Sequence, residues 1–258
     1  MIQSLIERFR QGFHTMDYPD GPAPKLPDRF RGRPLIDQSA CPPGCVDCVS
    51  ACPTQAIKVN GSVSVDLGRC LFCTECADAC PEGAITHSAD HRLSTSTRAA
   101  LVVRSEQELK LAAQLRSELL KLFGRSLKLR QVSAGGCNGC EADVNVLGTI
   151  GWDLGRFGIQ MVASPRHADG ILVTGCVTEN MKLALEKTYA AVPAPKIVIA
   201  VGACAISGGP FLDSPRQLCG AESVVPVDLF IPGCPPHPLT ILDGLLRLVR
   251  RGQGHDQG

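Results

Sequence analysis

The sequence predicts an α/β protein in two parts, a small cysteine-rich domain followed by a larger domain with a parallel sheet between helices. Eight of the 14 cysteines stand between Cys41 and Cys80 in two similar runs. From Leu127 onward, short apolar stretches alternate with amphipathic ones, which is typical of parallel α/β domains. Several of the remaining cysteines directly follow those apolar stretches, and this pattern predicts a thiol site in the second domain as well.

Composition excludes several classes of protein. The chain has 258 residues, is 44% hydrophobic and carries a formal net charge of +1, so it can bury a core. A near-neutral charge with one Trp and two Tyr argues against a nucleic-acid-binding surface. MIQSLIERFRQGF lacks the apolar region of a secretory signal, and the longest apolar run, 197–206, is about half the ~20 residues of a membrane span. We therefore expect the thiols to bind metal in a reducing compartment rather than to form disulfides.

Residues 1–35 are predicted to form a helix and an extended arm. Apolar side chains recur at spacings of three and four, which indicates an amphipathic helix; they are Ile2, Leu5, Ile6, Phe9 and Phe13. The helix could pack on its own domain, or dock on a partner subunit or a membrane surface, and both interpretations stay open. The following DYPDGPAPKLPDRFRGRP is rich in Pro and Gly, which predicts little regular structure.

Residues 36–92 contain an internal duplication, CPPGCVDCVSACPTQAI and CLFCTECADACPEGAI. The second copy fits the run C-x2-C-x2-C-x3-C-P, in which three thiolates hold one 4Fe–4S cluster and the fourth reaches the other. We predict a bacterial ferredoxin-like domain with two clusters. The first would be held by Cys41, Cys45, Cys48 and Cys80. The second would be held by Cys52, Cys70, Cys73 and Cys76.

One spacing departs from this pattern, since PPG separates Cys41 from Cys45 where two residues are usual. We expect the additional residue to form a local bulge that keeps the ligand. The competing interpretation is a pair of zinc sites, because Cys-x-x-Cys also suits tetrahedral zinc, but repetition of the full run favours iron–sulfur. His87 and His91, just beyond the run, are expected to face solvent.

Residues 93–126 are predicted as a connector with a helix over SEQELKLAAQLRSELLKLFG, and residues 251–258 as a flexible tail. Between them, residues 127–250 predict a flavodoxin-like, parallel three-layer α/β domain. Its strand candidates are SLKLRQVS, FGIQMVAS, GILVTG, KIVIAVG and VVPVDLFIPG. Its helix candidates are 138–154, 178–191 and 239–250.

Sites in such domains lie beyond the carboxyl ends of the strands, where loops carry the ligands. Five cysteines follow predicted strands among clustered glycines, and they are Cys137, Cys140, Cys176, Cys204 and Cys234. Four thiolates at one sheet end predict a third 4Fe–4S cluster, so five candidates compete for four places. Cys219 lies in a polar segment away from any strand end.

Four segments carry a resemblance to a known family, and they are GGCNGCEAD, SPRHADGILVTG, VGACAISGG and IPGCPPHP. They resemble the small subunit of membrane-bound, energy-converting nickel–iron hydrogenases, especially formate hydrogenlyase. That small subunit is also similar to the part of complex I that carries the terminal cluster. The N-terminal part resembles the ferredoxin-like subunit of formate hydrogenlyase, so the chain looks like a fusion of two subunits. Complex I relatives have adjacent cysteines at the first ligand pair, and Cys-x-x-Cys here favours the hydrogenase branch.

The resemblance implies which cysteines bind the third cluster: Cys137, Cys140, Cys204 and Cys234. It leaves Cys176 as a neighbour, with a ligand swap as the alternative, and Cys219 as a bystander. It also implies a non-catalytic electron-transfer subunit, in which three 4Fe–4S clusters relay electrons to or from a nickel–iron site in a separate large subunit. Glu141, directly behind the motif, is a possible proton-path residue or, equally, a structural carboxylate.

The partners that the resemblance implies are the large nickel–iron subunit, other peripheral and membrane subunits, and an electron donor. That donor could be a formate dehydrogenase, a CO dehydrogenase or a ferredoxin; nucleic acid is not expected. The chain would be cytoplasmic, held on the inner membrane through its partners. Two alternatives remain: the same subunit in a complex I-like oxidoreductase without nickel, and a free-standing polyferredoxin or zinc-bound scaffold.

Overall fold

The computed structural model describes residues 2–12, 14–104, 109–112 and 126–249. Phe13, most of the predicted connector helix and the predicted tail lie outside these ranges. Among the described helices, none combines the length and apolar character needed to cross a membrane. The chain begins with helix α1, Ile2–Gln11.

The cysteine-rich part is built from short strands and two short helices. Its elements are β1 (Pro34–Ile36), α2 (Asp47–Ala51), β2 (Ile57–Val59), β3 (Val63–Asp66), α3 (Glu75–Asp78), β4 (Ile85–His87) and β5 (Val102–Arg104). β1 pairs antiparallel with β4, and β2, β3 and β5 form a second antiparallel sheet. Because β5 lies within 93–126, part of the predicted connector is a strand of this sheet.

The second part contains one five-stranded sheet. Its elements are β6 (Leu127–Ser133), α4 (Gly139–Val146), β7 (Ile159–Met161), β8 (Gly170–Thr174), α5 (Glu179–Ala191), β9 (Ile197–Val201), α6 (Gly202–Ser207), β10 (Leu229–Ile231) and α7 (Pro238–Val249). The strand order is β10-β9-β8-β6-β7, and every pair is parallel. Counted from β6, this is the order 2-1-3-4-5 of flavodoxin-like folds, which confirms the predicted fold class.

Alternation along the strands divides the core into two layers. On β8, Ile171 and Val173 join the core that contains Leu185 of α5 and also apolar residues of the cysteine-rich part. Leu172 points the other way, into the core formed with α4 and α7. The sheet is therefore covered on both faces, and one apolar core is continuous across the two parts of the chain.

Two local predictions differ from the structure. The helix predicted over 138–154 ends at Val146, because the following Gly148 and Thr149 have low helix propensity and form turns. No helix was predicted between the last two strands, where α6 forms directly after β9.

Hydrogen bonds from the connector and from the cysteine-rich part join the two parts of the chain. Thr95 and Phe230 exchange two backbone bonds of 3.0 and 2.9 Å at the edge of the parallel sheet. The Ser207 hydroxyl donates to the Gly68 carbonyl over 2.8 Å, across the junction. These bonds and the shared core hold the ferredoxin-like part in one orientation against the parallel sheet.

The N-terminal arm also lies along both parts. The Met16 amide donates to the Gly151 carbonyl at 3.0 Å, and the Arg156 guanidinium donates to the Tyr18 carbonyl at 2.7 Å. Further on, the Gly32 amide donates to the Ser88 carbonyl at 2.8 Å, in the cysteine-rich part.

The expectation that His87 and His91 face solvent is wrong. His91 is 8% exposed, because the Tyr18 hydroxyl covers it at 3.3 Å from Nε2 and donates to Asp243 at 3.1 Å. His87 is half-buried at the end of β4. The arm contributes to both environments, through Arg31 near His87 and Tyr18 at His91, and α7 contributes Asp243 to that of His91.

Candidate iron–sulfur centres

The first group of thiols forms around α2. Burial, followed by the neighbouring thiols Cys41, Cys45 and Cys80, raises the pKa of Cys48. The residue inserted after Cys41 is accommodated in a turn, in which the Cys45 amide donates to the Pro42 carbonyl at 3.2 Å. Gly44 supplies the left-handed position of this turn with a φ of +79°. The turn leaves Cys45 close enough to Cys41 and Cys48 to raise the pKa of both thiols, and its role as a ligand stays a prediction.

The second group lines a cavity between the two small sheets. Burial raises the pKa of Cys70 to about 12, with smaller contributions from Cys76, Cys52 and Cys73. Burial also raises the pKa of Cys76 to about 11. All four thiols line the same cavity, together with apolar residues. The Phe72 amide donates to Cys70 Sγ at 3.3 Å from a left-handed φ of +56°.

The repeated Cys-Pro-x-x-Ala motif has a structural explanation. The Ala56 amide donates to Cys52 Sγ at 3.2 Å, and the Ala84 amide donates to Cys80 Sγ at 3.3 Å. In both copies the chain turns at the proline, so that the amide four residues after the cysteine reaches that cysteine's sulfur. Amide bonds of this kind stabilise a metal-bound thiolate and tune its cluster.

The third group assembles at the carboxyl ends of three parallel strands. Cys137 and Cys140 flank the start of α4 after β6, Cys204 lies in α6 after β9, and Cys234 follows β10. Burial raises the pKa of Cys204 to about 12, with Cys234, Cys176 and Cys137 adding to it. Cys140 and Cys204 are 9% and 7% exposed, whereas Cys137 and Cys234 are exposed. The group therefore lies at the surface, half in the core and half open.

Two glycines leave room beside these sulfurs. A Cβ at Gly202 would lie 2.5 Å from Cys140 Sγ, and one at Gly209 would lie 2.9 Å from Cys204 Sγ. Both glycines have left-handed φ angles, +89° and +55°. Neither position accepts a side chain without moving a predicted ligand.

Cys176 lies beside the third group, in a different bonding environment. It is 3% exposed, and its thiol donates to the Gly135 carbonyl at 3.3 Å. It adds to the raised pKa of Cys204, so it lies close to that thiol. This placement is consistent with a neighbour, and the choice of Cys204 as ligand stays a prediction. Cys219 is exposed, in the segment that follows α6.

Glu141 is 7% exposed and ties two strand ends together. Its Oε1 accepts hydrogen bonds from Ser133 at 2.6 Å and Thr174 at 2.7 Å, at the ends of β6 and β8. Burial alone would raise the pKa of Glu141, but these bonds outweigh it and hold the pKa below its ordinary value. Sequence reasoning missed both hydroxyls, because only the parallel pairing of β6 and β8 brings them together. The proton-path role stays a prediction.

The three groups follow one another through the molecule. Cys48 of the first group adds to the raised pKa of Cys76 in the second. Cys73 of the second group adds to that of Cys234 in the third. Leu71 and Phe72, between Cys70 and Cys73, also line one cavity with Cys234. The second group therefore adjoins both of the others.

The donor sets fit 4Fe–4S clusters. Each group supplies four thiols, and amides or glycines adjoin the sulfurs. In the described part of the chain, no three His, Cys, Asp or Glu side chains are arranged as a metal-ion site, so the assignment of clusters rests on the number and spacing of the thiols. The raised thiol pKa values mean that protons occupy the sulfurs until iron displaces them, as is usual for thiolate metal sites.

Fold and donor sets together define an iron–sulfur protein of the electron-transfer type. Residues 39–84 match the 4Fe-4S dicluster domain, and residues 137–248 match the 20 kDa subunit of NADH ubiquinone oxidoreductase. The chain is 42% identical to a probable membrane-bound hydrogenase subunit, mbhJ, of Pyrococcus furiosus over 52% of its own length and 81% of the relative's. It belongs to the family of this 20 kDa subunit, with a ferredoxin-like 4Fe–4S domain in front.

Further relatives cover both branches of the family. Formate hydrogenlyase subunit 7 of Escherichia coli is 45% identical over 51% of the chain, which spans 52% of that relative. A subunit of the NADH-quinone oxidoreductase of Clostridium beijerinckii is 46% identical over 43% of the chain and 67% of the relative. A chain of a solved archaeal membrane-bound sulfane sulfur reductase is 34% identical, with a TM-score of 0.46, over 51% of this chain and 73% of that one.

Proposed function

We propose that this chain is the iron–sulfur electron-transfer subunit of a membrane-associated, formate hydrogenlyase-like nickel–iron hydrogenase. The observation that carries the proposal is the succession of three four-cysteine groups, one beside the next, ending at a half-exposed group. Relatives named as subunits of a membrane-bound hydrogenase and of formate hydrogenlyase support it.

The residues perform distinct tasks in this proposal. Cys41, Cys45, Cys48 and Cys80 hold the first cluster; Cys52, Cys70, Cys73 and Cys76 hold the second; Cys137, Cys140, Cys204 and Cys234 hold the third. Bound there, 4Fe–4S clusters would accept and release single electrons and so relay them along the chain. Buried ligands such as Cys48 and Cys204 exclude water, and the exposed Cys137 and Cys234 place the third group where a partner can cover it.

The partner at that exposed face would be the large subunit that carries nickel and iron. Other peripheral and membrane subunits complete the assembly, on the cytoplasmic side of the inner membrane. A formate dehydrogenase, a CO dehydrogenase or a ferredoxin would exchange electrons with the first group, whose inserted turn is exposed at Pro42, Pro43 and Gly44.

Iron and sulfide analysis of the anaerobically purified chain tests the cluster count. Three clusters predict about twelve irons per chain and three EPR signals of reduced clusters. About eight irons would overturn the third site, and stoichiometric zinc would overturn the electron-transfer function.

A second candidate is the equivalent subunit of a complex I-like oxidoreductase without nickel. The relative from Clostridium beijerinckii, at 46% identity, favours it as strongly as the hydrogenase relatives favour the first. The Cys-x-x-Cys spacing of Cys137 and Cys140 favours the hydrogenase. Nickel analysis of the large subunit that co-purifies with this chain decides between them, because nickel is expected only for the hydrogenase.

A further inference from the structure

Helix α1 presents an apolar face that the rest of the described chain does not cover. None of its ten residues is buried. Ile2, Leu5, Ile6 and Phe9 are 76%, 56%, 45% and 87% exposed. A contiguous apolar face of this kind marks a surface for a partner or a membrane, because it gains nothing from standing in water.

The charges around α1 distinguish between these occupants. At about 100° per residue, the four apolar side chains span roughly 100° of the helix circumference. Arg8 and Arg10 lie on opposite flanks, each roughly 100° from the centre of the apolar face. Glu7 lies nearer the opposite side of the helix and pairs with Arg10 at the long distance of 3.5 Å, with the two side chains 50% and 73% exposed. Cations on both flanks of an apolar face match lipid phosphates on either side of an interfacial helix.

The helix is tethered close to the body of the protein. Among the described residues of the arm, Met16 makes a backbone bond to the body, and Tyr18 adds a second attachment through Arg156 and Asp243. Only a few residues therefore separate α1 from the points at which the arm is attached to the parallel-sheet domain. The two arginine flanks can approach a planar surface, since no residue of α1 is buried.

We propose that α1 is an interfacial helix that lays Ile2, Leu5, Ile6 and Phe9 into the headgroup region of an anionic membrane. Arg8 and Arg10 contact lipid phosphates on its two flanks. The chain would then contact the membrane directly, in addition to any contact through partner subunits. This inference rests on the proposed function only in placing the chain in a membrane-associated assembly.

Vesicle flotation of the anaerobically purified full chain tests it. Wild type is expected to float with phosphatidylcholine vesicles that contain phosphatidylglycerol, more weakly with phosphatidylcholine alone, and less as salt rises. The double substitution Leu5→Gln with Phe9→Gln is expected to abolish flotation. Arg8→Gln with Arg10→Gln should weaken binding to anionic vesicles about fivefold for each charge and leave neutral vesicles unaffected. Ser4→Ala with Gln11→Ala, on the opposite face, is the matched control and should float like wild type.

Iron content is measured on each variant, so that loss of clusters, which concerns the proposed function, is distinguished from loss of lipid binding. Failure of wild type to float would overturn the inference. So would equal flotation of wild type and the Leu5/Phe9 variant, or flotation indifferent to lipid charge. If the wild-type chain ignores vesicles while the Leu5/Phe9 variant loses a co-purifying subunit, α1 is a protein-docking helix and the lipid proposal is wrong.

Discussion

Replacement of Gly202 by alanine should selectively disable the third centre. Gly202 directly follows β9 with a φ of +89°, and a Cβ there would lie 2.5 Å from Cys140 Sγ. An L-residue in the left-handed region costs about 1–2 kcal/mol. Forcing a methyl group against a packed neighbour costs about 1–3 kcal/mol more. We therefore expect Gly202→Ala to lose about 2–5 kcal/mol of stability, with Cys140 displaced as a result.

Gly61→Ala supplies the matched control. Gly61 has a similar φ of +75°, but nothing lies within 4 Å of the position its Cβ would take. This variant should therefore lose only the backbone contribution, about 1–2 kcal/mol. The difference between the two variants isolates the contact with Cys140.

Anaerobic thermal unfolding, iron analysis and EPR measure the outcome. Gly202→Ala should have the lower Tm, by roughly 2–4 °C for each kcal/mol that separates it from Gly61→Ala. Its iron content should fall from about twelve to about eight per chain, with the signals of the ferredoxin-like pair retained. The reasoning fails if both variants unfold alike and both keep about twelve irons.

Six further variants test three other parts of the structure. Cys204→Ala and Cys234→Ala should each remove the EPR signal of the third cluster and about four irons, while Cys176→Ala should keep the signal and the irons. If Cys176→Ala removes the signal and Cys204→Ala does not, the choice of Cys204 as ligand is wrong. Glu141→Ala should lower stability by about 1–3 kcal/mol, because it removes the acceptor of two hydroxyl hydrogen bonds. Glu141→Gln keeps an acceptor and should therefore lose less stability. Equal Tm values for the two variants would contradict this. The pKa of His91 is lowered chiefly by burial, so the unfolded chain binds a proton more readily and stability should fall as the pH drops from about 7 towards about 5.5. His91→Gln should reduce that slope in anaerobic Tm measurements, and an unchanged slope would show that His91 is not responsible.

Local spacing carried much of the information about the ferredoxin-like part. Ligands such as Cys70, Cys73 and Cys76 stand so near one another that the run constrains them to one loop and one short helix. The parallel domain was predictable for a related reason, because apolar runs such as 197–201 report burial on both faces. Strand ends then placed five cysteines at one edge of the sheet.

The order of strands and the surroundings of single side chains depended on tertiary structure. Cys176 and Cys204 both follow buried strands, so their positions in the sequence do not distinguish a ligand from a neighbour. Only the packing of the loop after β8 against Gly135 gives the Cys176 thiol a carbonyl acceptor of its own. His91 is enclosed by Tyr18 and Asp243, which approach from opposite ends of the chain. Spacing determines contacts that a short segment can make by itself, whereas contacts between distant segments exist only once the sheet, the arm and α7 have packed.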